Sequence, residues 1–143
     1  MGHIPFRGAV PDDRLYDAEH DMWVRETPTG LEVGATAFGV FLAGTIIGFT
    51  AKPRGAELAR GRGLGTVECA KTVLAVRSPL SGVLLEGNED AEERPALVND
   101  DPYCAGWMAR LRPTAWDAER GLLVAAAAYR AHVVRVEPGA DFS

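Results

Sequence analysis

The stretch Leu64-Gly65-Thr66-Val67-Glu68-Cys69-Ala70-Lys71-Thr72-Val73-Leu74-Ala75-Val76-Arg77, followed by Ser78-Pro79-Leu80-Ser81-Gly82, decides how this chain is read. Leu64 to Cys69 and Thr72 to Arg77 are two strand-like runs that meet near Ala70-Lys71, which makes the lysine the tip of a hairpin. Ser78 to Gly82 has turn chemistry, and Val83 to Glu86 resumes as a strand. Short strands with a turn between each pair predict a small β-sandwich or barrel. A lysine at a hairpin tip is exposed on a rigid support, and its flexible stem and terminal amine suit acylation by an external enzyme.

That lysine has one rival. Of the 15 basic residues 13 are arginine, which keeps its charge in proteins, and the only lysines are Lys52 and Lys71. Lys52 lies in a basic segment running to Arg62, with Arg54 and Arg60 between them against a single acid, Glu57. We read this segment as a solvated loop edge; the alternative is a docking patch for an acidic partner.

Working outward, Met22 to Glu26 reads as a strand, Pro28-Thr29-Gly30 as a turn and Leu31 to Ala35 as the return strand. Thr36 is placed to cap a short helix through Leu42, with Gly44 as its stop, and Thr45 to Thr50 reads as a buried strand. Val33 to Ala51 carries no charge and contains Gly44-x-x-x-Gly48, the look of a membrane span. Its four glycines and three threonines dilute the hydrophobicity, and strand–helix–strand is the reading taken, with no membrane association. Residues 87–101 are acidic and are expected to hold one helical turn before Pro95. Trp107 to Leu111 reads as a last strand, and Pro113-Thr114 opens a helical region to about Val133, broken around Gly121 to Val124. The expected organisation is a loose arm over 1–14, one domain over 15–133 and a mobile tail over 134–143.

Composition excludes several function classes. The chain has 143 residues, enough for one domain with a real core, and 47% hydrophobic content excludes wholesale disorder. A net charge of −5 argues against a general nucleic-acid surface. Cys69 and Cys104 form no CxxC and no disulfide framework, and the first residues lack a signal-peptide pattern, so a reducing, cytoplasmic setting is expected. His3, His20 and His132 are far apart and show no zinc-ligand spacing. No nucleophile elbow or Cys/His signature is present, and Gly61 to Gly65 lacks the ending of a phosphate loop. Cys69 shares an extended face with Val67 and Lys71, an arrangement in which the lysine would favour a thiolate; a small buried residue is the preferred reading.

Several motifs now join. Val67-Glu68-Cys69-Ala70-Lys71-Thr72 resembles the lipoyl-attachment hairpin (Glu-Ser-Val-Lys-Ala) of the glycine cleavage system H protein family, and Ser78-Pro79-Leu80-Ser81-Gly82 resembles the turn that follows it. Gly82 stands eleven residues past Lys71, as in lipoyl and biotinyl hairpin domains. Leu97-Val98-Asn99-Asp100-Asp101-Pro102-Tyr103-Cys104-Ala105-Gly106-Trp107 is similar to that family's Leu-Val-Asn-x-x-Pro-Tyr-x-x-Gly-Trp, which ordinary lipoyl domains lack. Tyr16, His20, Trp23 and Val24 resemble its opening motif, with one extra residue, and Val33-Gly34-Ala35-Thr36 its Val-Gly-Ile-Thr.

The resemblance implies a mainly β fold, the lipoyl/biotinyl-type barrel-sandwich hybrid, with short flanking helices and a C-terminal helical region. It implies lipoate in amide linkage to Lys71, with Glu68 and Gly82 supporting the attachment motif. It implies a monomeric carrier rather than a catalyst, moving an aminomethyl group from glycine decarboxylase to aminomethyltransferase, with dihydrolipoamide dehydrogenase reoxidising the arm. A lipoate ligase or an octanoyl or lipoyl transferase would install the group. Departures lie at Thr45-Ile46-Ile47-Gly48-Phe49, at the basic Lys52-Pro53-Arg54-Gly55, where the family's loop is usually acidic, and at Cys69 and Thr72 beside the lysine. They keep two alternatives open. One is an H-like lipoate-binding protein carrying sulfur intermediates for a heterodisulfide-reductase-like complex. The other is a non-lipoylated binding domain on the same fold.

Overall fold

The computed structural model describes residues 3–143. Nine strands form two antiparallel sheets. Strands β1 (Leu15–Asp17), β2 (Met22–Thr27), β3 (Gly30–Ala35), β5 (Glu57–Leu58), β8 (Gly82–Gly87) and β9 (Ala109–Pro113) make a six-stranded sheet in the order β1-β2-β3-β9-β8-β5. Strands β4 (Ile46–Ala51), β6 (Gly63–Cys69) and β7 (Val73–Arg77) make a three-stranded sheet in the order β4-β6-β7. Val33, Leu84, Ala109 and Leu111 from the first sheet meet Phe49, Leu64, Val67 and Val76 from the second in one buried core. β6 shows why: Leu64, Val67 and Cys69 turn inward while Thr66 and Glu68 face solvent. This is the barrel-sandwich hybrid that the sequence leads one to expect.

The two sheets are joined by α1 (Ala37–Ala43). Thr36 caps it, its side chain accepting from the Gly39 N–H at 3.0 Å, and the helix ends at Gly44. The uncharged stretch from Val33 to Ala51 is thus strand, helix and strand, and no helix among the described residues is long and apolar enough to cross a membrane. β4 and β6 approach closely where Gly65 faces Ala51; a Cβ on Gly65 would lie 2.4 Å from the Thr50 carbonyl oxygen.

The acidic segment holds two helices rather than one turn, α2 (Glu89–Glu93) and α3 (Ala96–Asp100). Asn88 caps α2 by accepting from the Asp90 and Ala91 amides, and its own amide donates to the Ala105 and Trp107 carbonyls. Those bonds hold residues 105–107 as a loop, so the last strand begins at Ala109 and not at Trp107. The C-terminal helical region is α4 (Trp116–Glu119), a 3-10 turn (Arg120–Leu122) and α5 (Ala126–Val136), interrupted as expected near Gly121 to Val124.

The chain ends differ from expectation. Residues 1–14 are expected to be loose and 134–143 mobile, yet Phe6 and Val10 belong to a second core with Tyr16, Trp23, Phe38, Ala126, Tyr129 and Val133, and Ala140 and Phe142 pack against it. Phe6 is buried edge-on against Phe38 at 5.3 Å and Phe142 at 6.3 Å. Gly8 N–H donates to the Asp141 carbonyl and Asp141 N–H to the Phe6 carbonyl, each at 2.9 Å. Burying those aromatic rings outweighs the loop chemistry of Pro5 and Gly8. Tyr16 stacks on Tyr129 at 4.8 Å, and Trp23 donates through Nε1 to the Pro102 carbonyl at 3.0 Å.

Candidate functional site

The β6–β7 hairpin closes on two residues. Cys69 N–H donates to the Thr72 carbonyl at 2.8 Å, Glu68 faces Val73 and Val67 faces Leu74, leaving Ala70 and Lys71 as the loop. Ala70, Lys71, Thr72 and Val73 are all exposed. Among the described residues Lys71 enters no ion pair. A primary amine held clear of the body on a paired backbone is a good acyl acceptor, and an amide-linked arm fits the open space around it.

Glu68 is exposed on the outer face of β6, between Val73 of β7 and Gly48 of β4. A Cβ on Gly48 would stand 3.1 Å from Glu68 Oε2, so the glycine leaves the carboxylate room. Cys69 is buried in the main core. The inward face of β6 therefore ends at Cys69, and Lys71 lies past the strand, not beside the thiol. Gly82 is not near Lys71. It opens β8 across from Leu58 and Pro113, at the opposite end of the hairpin, where a Cβ would lie 2.6 Å from the Arg112 carbonyl oxygen. Its role is to let β8 and β9 approach.

The lysine end of the sheet is apolar. Leu42, Ile47 and Val73 are each more than half exposed there. Asn99 of α3 fixes this end: its Oδ1 accepts from Ile46 N–H at 2.9 Å and its Nδ2 donates to the Gly44 carbonyl at 3.0 Å. Beside β7 lies a cavity of about 150 Å³ between Leu74–Val76 and the α1 side, lined by Met22, Val40, Ile46 and Met108, with His20, Asp21 and Arg77 as its polar groups. Burial pushes the Asp21 carboxyl above the usual range, although the Tyr129 hydroxyl donates to it at 2.7 Å.

A model of the family described as glycine cleavage H-protein matches residues 14–135. The chain belongs to that family. It is similar to glycine cleavage system H protein 5 of Aquifex aeolicus, with 35% identity over 80% of this chain and 80% of the relative. It is 39% identical to the H protein of Laribacter hongkongensis over 87% of this chain and 97% of that one. The crystal structure of an H protein from Mycobacterium marinum superposes with a TM-score of 0.73 at 31% identity, covering 85% of this chain and 97% of that chain.

Within this H-protein framework, sequence reading located the hairpin and missed several supports. Asn99 was seen only as part of a motif; its bridge to β4 joins residues more than fifty positions apart. His20, read with the other histidines as scattered, bonds through Nδ1 to Asp17 at 2.7 Å. Asp17, Glu19 and His20 gather their ligand atoms within 4.8 Å of one another, but Arg60 reaches Asp17 at 3.1 Å and Glu19 at 3.5 Å and already supplies the positive charge. Ser81, part of the turn motif, donates through its N–H and hydroxyl to the two Glu119 carboxylate oxygens, both at 2.7 Å. That pairing ties the turn after β7 to the C-terminal helices, and nothing local in the sequence signals it.

Proposed function

We propose that Lys71 is lipoylated and that the chain is a carrier subunit of the glycine cleavage type, not itself an enzyme. The observation that carries this is the exposed, unpaired Lys71 amine on a two-residue hairpin loop, in a chain of the H-protein family. Bound lipoate supplies a dithiolane that accepts and releases the aminomethyl cargo. The protein's own part is positional. The β6–β7 pair holds the attachment point rigid, Asn99 fixes the neighbouring end of β4, and Glu68 offers a carboxylate three residues before the lysine for the attaching enzyme to read. The partners in this reading are glycine decarboxylase, aminomethyltransferase, dihydrolipoamide dehydrogenase and a lipoate ligase or transferase, with the carrier acting as a cytoplasmic monomer.

Intact mass after co-expression with a lipoate ligase tests the attachment. One lipoyl increment is expected on the native chain and none on Lys71→Arg. Modification that persists in Lys71→Arg, or no increment at all, overturns it. Glycine–CO2 exchange with a glycine decarboxylase then tests the pathway. A second reading, a carrier for sulfur intermediates, is kept because the chain departs from the family pattern at Thr45 to Phe49, at the basic Lys52 to Gly55 and at Cys69 and Thr72 beside the lysine. A lipoylated chain that supports no exchange, beside an active control carrier, would favour it.

A further inference from the structure

The end of the three-stranded sheet away from Lys71 gathers cations. Lys52 follows β4, its N–H donating to the Leu64 carbonyl at 2.8 Å, and Arg62 precedes β6, its carbonyl accepting from Ser78 N–H at 2.7 Å. Arg77 ends β7 opposite Gly63 and donates to the Gly61 carbonyl at 3.2 Å. Arg54 sits in the turn after Lys52, and its neighbour Gly55 donates its N–H to the Leu84 carbonyl at 2.8 Å. These four cations are exposed, and none enters an ion pair among the described residues. Arg60, the remaining cation of the segment, is occupied by Asp17 and Glu19. The acids of α2, a helix that packs against β4, form no ion pair with the four cations among the described residues, and Glu57 is the one acid between Lys52 and Arg62.

We infer that Lys52, Arg54, Arg62 and Arg77 form a docking surface for an acidic segment of a partner protein. Three of the four are arginines, whose forked donors match carboxylates bidentately. Free cations gathered at one end of a chain with net charge −5 steer a partner by local field rather than by total charge. That same net charge repels an extended polyanion or an anionic membrane beyond the patch, and residues 51–62 contain no aromatic side chain on which bases could stack. The position carries the meaning. β4 spans Ile46 to Ala51, so the patch lies roughly 17 Å along the strand from the lysine end. A partner held there leaves Lys71 free, so the carrier can be tethered and still present its arm. That last consequence rests on the carrier reading; the binding itself does not, because it needs no acylation.

The test is fluorescence anisotropy with a labelled octaglutamate peptide against the full chain, in unmodified and lipoylated forms. Both forms are expected to bind, with affinity falling as salt rises. Lys52→Glu/Arg54→Glu/Arg62→Glu should weaken binding roughly tenfold or more, while Arg135→Glu, a charge reversal on α5, should change it little. The milder Lys52→Gln/Arg54→Gln/Arg62→Gln set guards against a folding defect. Equal binding by the patch variants and the native chain overturns the inference. So does tighter binding to duplex DNA or to phosphatidylserine vesicles than to the peptide. Loss of peptide binding on lipoylation alone would likewise contradict an independent site.

Discussion

Lys71 and Lys52 are the two lysines of the chain, both exposed, and they stand at opposite ends of one three-stranded sheet. Their surroundings share nothing. Lys71 tips a two-residue hairpin among apolar neighbours, with Glu68 as the nearest acid on its strand. Lys52 sits between Ala51 and Pro53, its backbone bonded to Leu64, among arginines. The ends are also secured differently. The lysine end depends on a side chain, Asn99, reaching in from α3; the basic end depends on the bare backbone of Gly65 against Thr50 and Ala51. An amine becomes an attachment point through the backbone that presents it, while exposure alone is common to both.

The contrast can be broken at either end. The largest effect is expected from inserting one glycine between Ala70 and Lys71, which keeps the amine exposed but spoils the tight loop. Lipoylation, followed by intact mass over time, should slow by roughly 100-fold, the scale set by small misplacements of reacting groups. An insertion variant modified at the native rate would show that exposure suffices. Next comes Gly65→Ala, which forces a Cβ against the Thr50 carbonyl and should cost about 1–3 kcal/mol in urea unfolding. The smallest change is expected for Asn99→Ala, about 1 kcal/mol, because the Gly44 carbonyl it releases is exposed to water and only one part-buried donor, the Ile46 N–H, loses its partner. Its distinguishing sign is faster hydrogen exchange at the Ile46 amide with little change at Ala51. Uniform acceleration along β4 would mean that the two ends are not separately held.

The sequence carried the local half of this architecture. Thr36 as a cap, Gly44 as a stop and the paired runs around Ala70-Lys71 all rest on interactions within a few residues, and the structure has them where the pattern put them. What escaped depends on distance along the chain. Phe6 looked like part of a loose arm because its partners, Phe38 and Phe142, come from α1 and the far end. The second short helix of the acidic segment, α3, lies between Pro95 and Pro102 and is too brief to show a helical period. Of the candidate site residues, Lys71 and Glu68 share the hairpin tip, but Gly82 proved to be spaced from the lysine by the length of β7 and a turn. Constant spacing in sequence reflected the length of one strand, not proximity in space.

The contact between Phe6–Gly8 and Asp141 has a topological consequence. Because these two segments pair as neighbours, a link between them would close the intervening chain into a ring. A short linker between these segments, with a new opening between the exposed Pro28 and Thr29, would preserve both cores and leave the Lys71 hairpin continuous.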